Sequence, residues 1–269
     1  MNTAVYGTPL LEAKGLWVSF DGNTVLKGIN LSVPQSQILG ILGKSGVGKS
    51  VLLKCLAGIV HPDSGTINFA GHEVAAGYHP DRAEFRRRCS YLFQGNALLD
   101  SLTAFENVAL PLEQNTALSD NEISVRVNEA LARFELEKFK DYYPGQLSGG
   151  QQKRLALVRA GITKPEIVLL DEPTAGLDPI RRNAVFELIA WVQREIGFTA
   201  VLVTHDVPEA LATCDKIALL DDGLIQFSGT PSEFAASTDP RVGAFRDSTA
   251  ALSGAIGELR RGKPASILI

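Results

Sequence analysis

Eight residues, Gly43-Lys44-Ser45-Gly46-Val47-Gly48-Lys49-Ser50, stand between the apolar run Ile38 to Leu42 and a helix-patterned stretch from Ser50 to Ala57. Glycines at this spacing let the backbone curl so that successive N–H groups point inward at one spot. A strand that feeds such a loop, and a helix that leaves it, define a β–loop–α unit with an anion cradle at the helix start, where the peptide dipoles add positive potential. The pattern and its setting read as a phosphate loop. Gly43, Lys44, Ser45, Gly46, Val47 and Gly48 form the cradle, Lys49 neutralises the β- and γ-phosphates, and the Ser50 hydroxyl is placed to ligate Mg²⁺.

The remaining pattern builds an α/β fold around that unit. Leu16 to Phe20 alternates as a strand, Asp21-Gly22-Asn23 is a tight-turn signal, and Ile29, Leu31 and Val33 alternate again before Pro34. The opening is therefore antiparallel β feeding a central strand. Gly58 and Pro62 end the helix after the loop, and Gly65 to Val74 reads as a hairpin. A polar helix with Arg86, Arg87 and Arg88 follows, read as a solvated face rather than an anion site, and Tyr91 to Phe93 is a strand.

The character then changes. Thr103-Ala104-Phe105-Glu106 and Ser119-Asp120-Asn121-Glu122 both fit the capping box that opens helices, and Ile123, Val127, Ala130, Leu131 and Phe134 recur at helical spacing. Residues from about Gly95 to Thr163 thus read as a helical insertion. The α/β pattern resumes at Ile167-Val168-Leu169-Leu170, apolar throughout as buried parallel strands are. Asp178-Pro179 opens a helix that Gly197 closes. Thr199 to Thr204 is strand, Val207 to Cys214 a short helix, and Ile217 to Phe227 a hairpin around Asp222-Gly223. The expected fold is a phosphate-loop NTPase with a mixed central sheet, an N-terminal antiparallel β subdomain and an inserted helical subdomain. Its expected bounds are 10–235, with the core at 10–94 and 164–235, the helical part at about 95–163, and 236–269 as a C-terminal extension.

Composition narrows the partners. Across 269 residues the formal charge is -4, which lacks the basic excess of a nucleic-acid binder. No stretch approaches the roughly 18 apolar residues that span a bilayer. Met1 to Pro9 lacks the apolar core of a signal peptide, so the chain is expected in the cytosol. Cys55, Cys89 and Cys214 show no metal-ligand spacing and read as buried thiols in a reducing compartment.

Three further features carry chemistry. Asp171-Glu172 follows the apolar strand, where an Asp holds the Mg²⁺ shell and the next carboxylate, Glu172, can take a proton from an attacking water. His205 ends the next strand, at the sheet edge where such folds bind ligands. In Leu147-Ser148-Gly149-Gly150-Gln151, Ser148 and Gln151 make a capping box, and the Gly-Gly helix start exposes N–H groups to an anion. Ser148 lies 99 positions beyond Lys49. Two phosphate sites so separated suggest a nucleotide bound between two copies of the chain.

In this order the elements resemble the ABC ATPase family, from about Leu11 to Gly229. Gly43 to Ser50 matches the Walker A loop, Gln94 the Q-loop, Leu147 to Gln151 the signature motif, Ile167 to Glu172 Walker B, Gly176-Leu177-Asp178 the D-loop and His205 the switch histidine. The resemblance implies ATP and Mg²⁺ as cofactors, hydrolysis with Glu172, His205 and Gln94 as catalytic residues, and Ser50, Gln94 and Asp171 in the metal shell. It implies adenine stacking on Phe20, where the family more often has Tyr. Ser148, Gly149, Gly150 and Gln151 would meet the γ-phosphate held by a second copy in a homodimer, with Asp178 supporting that contact. Val51 stands where many members have Thr, which removes one hydroxyl near the α-phosphate.

The finer resemblance is to Mla/Mce-type phospholipid-trafficking ATPases. It rests on Tyr91 to Leu99, on Phe105 to Leu112, on Thr204 to Ala210, and on Asp239-Pro240-Arg241-Val242 with Phe245. It implies an MlaE-like permease against Leu98-Leu99, an MCE-domain protein, a STAS-domain protein, and a peripheral place on the cytoplasmic face of the inner membrane. Arg260, Arg261 and Lys263 would then reach toward the partner protomer. A small-solute importer, such as one for amino acids, is the alternative. A soluble ABC protein acting on nucleic acid or ribosomes is disfavoured, because coiled-coil insertions and a second cassette are lacking.

Overall fold

A computed structural model describes residues 9–74, 80–93, 95 and 97–247, with the side chains of 80–83 left out. Gln94, and the tail with Arg260, Arg261 and Lys263, lie outside the described residues.

In chain order the elements are β1 (Pro9–Phe20), β2 (Asn23–Pro34), β3 (Ile38–Leu42), α1 (Lys49–Leu56), β4 (Ser64–Phe69), β5 (His72–Glu73), α2 (Pro80–Arg88) and β6 (Cys89–Leu92). There follow α3 (Ala104–Asn115), α4 (Asp120–Arg133), α5 (Gly149–Gly161), β7 (Ile167–Asp171), α6 (Pro179–Ile196), β8 (Thr199–Val203), α7 (Val207–Thr213), β9 (Lys216–Asp221), β10 (Leu224–Gly229) and α8 (Pro231–Ala236). One sheet is antiparallel, in the order β2-β1-β4-β5, and the other has the order β10-β9-β3-β8-β7-β6. Strands β6, β7, β8, β3 and β9 run parallel, and β10 adds an antiparallel edge, so the central sheet is mixed.

Strand register sets where the chemistry falls. Ile41 of β3 and Asp171 of β7 both pair with Val203 of β8. The carboxyl ends of β3, β7 and β8 are therefore level. They deliver the glycine-rich loop, Asp171-Glu172 and His205 to one rim, the edge at which open α/β sheets bind ligands.

The period-2 alternation of β7 divides the core. Val168 and Leu170 pack with Val108, Leu131, Leu155 and Ile189 beneath the helices. Ile167 and Leu169 face the other way, into a second cluster with Leu16, Leu26, Leu52 and Leu53. Both capping boxes form: the Thr103 N–H donates to Glu106 Oε2 at 2.7 Å, and the Ser119 N–H to Glu122 Oε2 at 2.8 Å. Cys55 and Cys214 are buried, and desolvation pushes each thiol up to about 12.

Two sequence expectations change. Strand β1 begins at Pro9, well before Leu16, because register shifts at Pro9/Leu11 and Ala13/Leu16 break its alternation. The basic helix α2 is not simply a solvated face. Arg88 bonds Glu166 through Nε at 2.6 Å and Nη2 at 2.9 Å, and lies 4.8 Å from the Phe69 ring centroid.

Asn107 is fully buried in α3 and fastens the loop ahead of that helix. Its Oδ1 accepts from the Leu99 N–H at 2.9 Å, and its Nδ2 reaches the carbonyls of Leu99, Leu102 and Thr103 at 3.0–3.1 Å. Asn107→Leu keeps the volume and strands those backbone groups. We expect a loss of about 2–4 kcal/mol of stability, measured by chemical denaturation.

No described helix is long and apolar enough to cross a membrane.

Candidate nucleotide site

The cradle is shaped by Gly46 and Gly48, at φ 81° and 100°. At Gly48 a side chain is excluded twice over: by the left-handed φ, and because an added Cβ would lie 2.7 Å from Val25 Cγ1. Gly48 is also the N-cap of α1 and offers no side-chain acceptor, so the first N–H groups of the helix are left for another partner.

Lys49 points back under this loop and is 6% exposed. Its Nζ donates to the Gly43 carbonyl at 2.9 Å and the Lys44 carbonyl at 3.0 Å, and lies 3.7 Å from Glu172 Oε1. Burial lowers the pKa of this ammonium, while Glu172 and then Asp171 oppose the shift. A cation in this setting gains from an incoming phosphate, which adds negative charge where two carbonyls supply only dipoles.

Asp171 is 3% exposed, and both of its oxygens are engaged. Oδ1 accepts from the Ser50 hydroxyl at 2.7 Å and Oδ2 from the Tyr91 hydroxyl at 2.9 Å. In the sequence Tyr91 reads as a strand residue and the start of a resemblance run, and no local pattern marks it as a site residue, since its contact with Asp171 depends on β6 lying beside β7. Its phenol pKa is raised by burial and then by the Asp171 charge. The hydroxyl of Ser50 and the carboxylate of Asp171 are hard oxygen donors meeting beside the phosphate cradle, a donor set that fits Mg²⁺.

Glu172 comes next in the chain and holds a left-handed backbone, φ 47°. Such a conformation costs on the order of 1–3 kcal/mol and survives only where its surroundings enforce it. Here its N–H donates to the Val203 carbonyl at 3.0 Å. Its Oε2 lies 2.8 Å from His205 Nδ1, so the two sequence candidates touch. One further group was missed: Thr174 Oγ1 donates to the buried Asp206 Oδ2 at 2.7 Å.

The other candidates form no hydrogen bond with Lys49, Asp171 or Glu172 among the described residues. Phe20, at the end of β1, is 46% exposed and presents an open ring. Val51 is partly buried against the α1 core. Ser148 caps α5: its N–H donates to Gln151 Oε1 at 2.8 Å, and its hydroxyl accepts weakly from the Gln151 N–H at 3.4 Å. An added Cβ on Gly149 would come no nearer than 4.0 Å to the Leu177 side chain, and one on Gly150 would meet nothing within 4 Å. That helix start is open to an approaching group. Asp178 caps α6 by accepting from the Arg181 N–H at 3.0 Å. Leu98 packs on the helical core, whereas Leu99 is exposed. Val242 and Phe245, part of the fourth resemblance run, are buried in the main core.

A glycine-rich loop on a central parallel strand, a buried lysine beneath it and an acidic pair on a level strand define the phosphate-loop nucleotide-binding class. The family model "ABC transporter" matches residues 26–175. The methionine import ATP-binding protein MetN 1 of Acinetobacter baylyi is 41% identical over 204 residues, 76% of this chain and 57% of that protein. The spermidine/putrescine import ATP-binding protein PotA of Marinobacter nauticus is 42% identical over 225 residues, 83% of this chain and 58% of its own. The sulfate/thiosulfate import ATP-binding protein CysA of Pectobacterium atrosepticum is 39% identical over 226 residues, 83% and 67% respectively. The chain thus spans about three fifths of the length of MetN 1 and PotA.

Among solved structures, cbiO1 of Clostridium perfringens, part of the transporter complex cbiONQ, superposes with a TM-score of 0.78 at 31% identity, covering 90% of this chain and all of that one. The dimeric bacterial cassette MJ0796 gives 0.75 at 32% identity, covering 82% of this chain and 98% of its own. The chain belongs to the ABC transporter family and forms its ATP-binding domain.

Proposed function

We propose that this chain hydrolyses ATP to drive an ABC importer of a small solute. The hydrolytic part rests on one observation: Glu172 is held at once by His205 and near Lys49, at the rim where the phosphate loop opens. In this reading Lys49 and the loop N–H groups hold the phosphates, and Phe20 stacks on adenine. Glu172 takes the proton of the attacking water, and His205 fixes the Glu172 carboxylate. Ser50, Asp171 and Gln94 would hold Mg²⁺, which when bound neutralises charge on the phosphate oxygens.

Ser148 starts a helix packed on α3, α4, α6 and β6, whereas Lys49 starts one packed on β7 and β8. The site is therefore proposed to be completed by a second copy, with Ser148 to Gln151 and Asp178 meeting the nucleotide held by its twin. The dimeric structure of a relative, the bacterial ABC transporter cassette MJ0796, supports pairing of two copies. Residues from about 95 to 163 act as the moving lobe, against a permease that keeps the chain at the cytoplasmic face of the membrane.

The importer assignment is supported by the relatives, which are import ATP-binding proteins for methionine, spermidine/putrescine and sulfate/thiosulfate. A second reading, phospholipid trafficking with an MlaE-like permease, an MCE-domain protein and a STAS-domain protein, is favoured by the four sequence runs given above. The test is to purify the intact complex from membranes in detergent and to identify its subunits and bound lipids by mass spectrometry. A periplasmic solute-binding protein that stimulates the ATPase is the expected result. An MCE-domain subunit with stoichiometric phospholipid would overturn the importer reading in favour of the lipid one.

A further inference from the structure

Asp206 opens α7 yet does not cap it: its side chain makes no capping hydrogen bond. An N-cap aspartate normally stabilises its own helix by about 1 kcal/mol. This carboxylate, 5% exposed, is turned toward other elements instead. Oδ2 accepts from Thr174, three residues beyond Asp171, at 2.7 Å. Oδ1 lies 2.9 Å from Arg182 Nη1 and 3.9 Å from His205 Nε2. The Asp206 N–H donates to Thr204 Oγ1 at 3.0 Å, which fixes the turn that carries His205.

Arg182 lies in the first turns of α6, and its N–H donates to the Asp178 carbonyl at 2.9 Å. The same guanidinium approaches Glu209 Oε1 of α7 at 3.7 Å. That second pair is only half made. Arg182 Nε and Glu209 Oε2 are both buried, and each lacks a hydrogen-bond partner among the described residues. Unpartnered buried polar atoms are costly and rare, and here a donor on α6 and an acceptor on α7 are left on the two side chains that already approach each other.

We propose that Arg182 is a positioning residue. Through Asp206 and Glu209 it clamps the helix that begins at Asp178 to the loop that carries His205, so that movement at Asp178 resets the His205–Glu172 contact. This rests on the hydrolytic role of Glu172 and His205 proposed above.

The test uses the full chain, with ATP affinity from calorimetry and single-turnover hydrolysis from rapid quench. Arg182→Met should leave the ATP Kd within about twofold and slow hydrolysis by about tenfold or more, since a misplaced catalytic group costs rate rather than ground-state binding. In a His205→Ala background the same change should have no further effect, because the clamp acts through His205. A merely structural role would slow both backgrounds alike. Glu209→Gln, a milder change, should slow hydrolysis without lowering Tm, which keeps the test valid if Arg182→Met folds poorly. Full hydrolysis rates in Arg182→Met, or equal slowing with and without His205, overturn the clamp. A wild-type chain that hydrolyses no ATP overturns the underlying function instead.

Discussion

Glu172→Gln is expected to bind ATP at least as tightly as the native chain and to turn it over at least about a hundredfold more slowly. The side chain keeps its length, and its amide can still meet His205 Nδ1, 2.8 Å away in the native site. What disappears is the basic oxygen and the negative charge 3.7 Å from Lys49. Without that charge the buried ammonium has one fewer competitor for phosphate, so affinity holds or rises. Calorimetric Kd and steady-state phosphate release measure the two halves separately. Near-native turnover would remove Glu172 from the base role.

Lys49→Ala acts on the opposite half of the cycle. Lys49 is 6% exposed, and its Nζ is the one side-chain cation beneath the loop among the described residues. Its removal leaves the Gly43 and Lys44 carbonyls without their donor and the cradle without its charge. A charge-assisted contact of this kind contributes several kcal/mol, so the ATP Kd should rise by at least about a hundredfold. Circular dichroism checks that the fold persists in the variant. Retained ATP affinity would undo the phosphate-loop assignment.

Features set by local chemistry were legible in the sequence. The glycine loop, the three capping boxes and the apolar run Ile167 to Leu170 each depend on neighbours within a few positions, and each appears in the structure. Local reading weakened where geometry interrupts a period, as at the bulged start of β1. It could not reach contacts made by strand order. Tyr91 meets Asp171 80 positions away, and Thr174 meets Asp206 across 32, only because β6, β7 and β8 are neighbours. Val242 and Phe245, in the fourth resemblance run, are both buried in the core. The transported species leaves little mark on this chain, whose described pattern builds the nucleotide site and its core.

The central claim is a catalytic pocket shared between two copies, and an ATP-loaded structure of Glu172→Gln tests it most directly. The account predicts a head-to-tail pair in which Ser148 of each copy lies within hydrogen-bond distance of the γ-phosphate held by Lys49 of the other. Nucleotide bound with every Ser148 turned to solvent would contradict it.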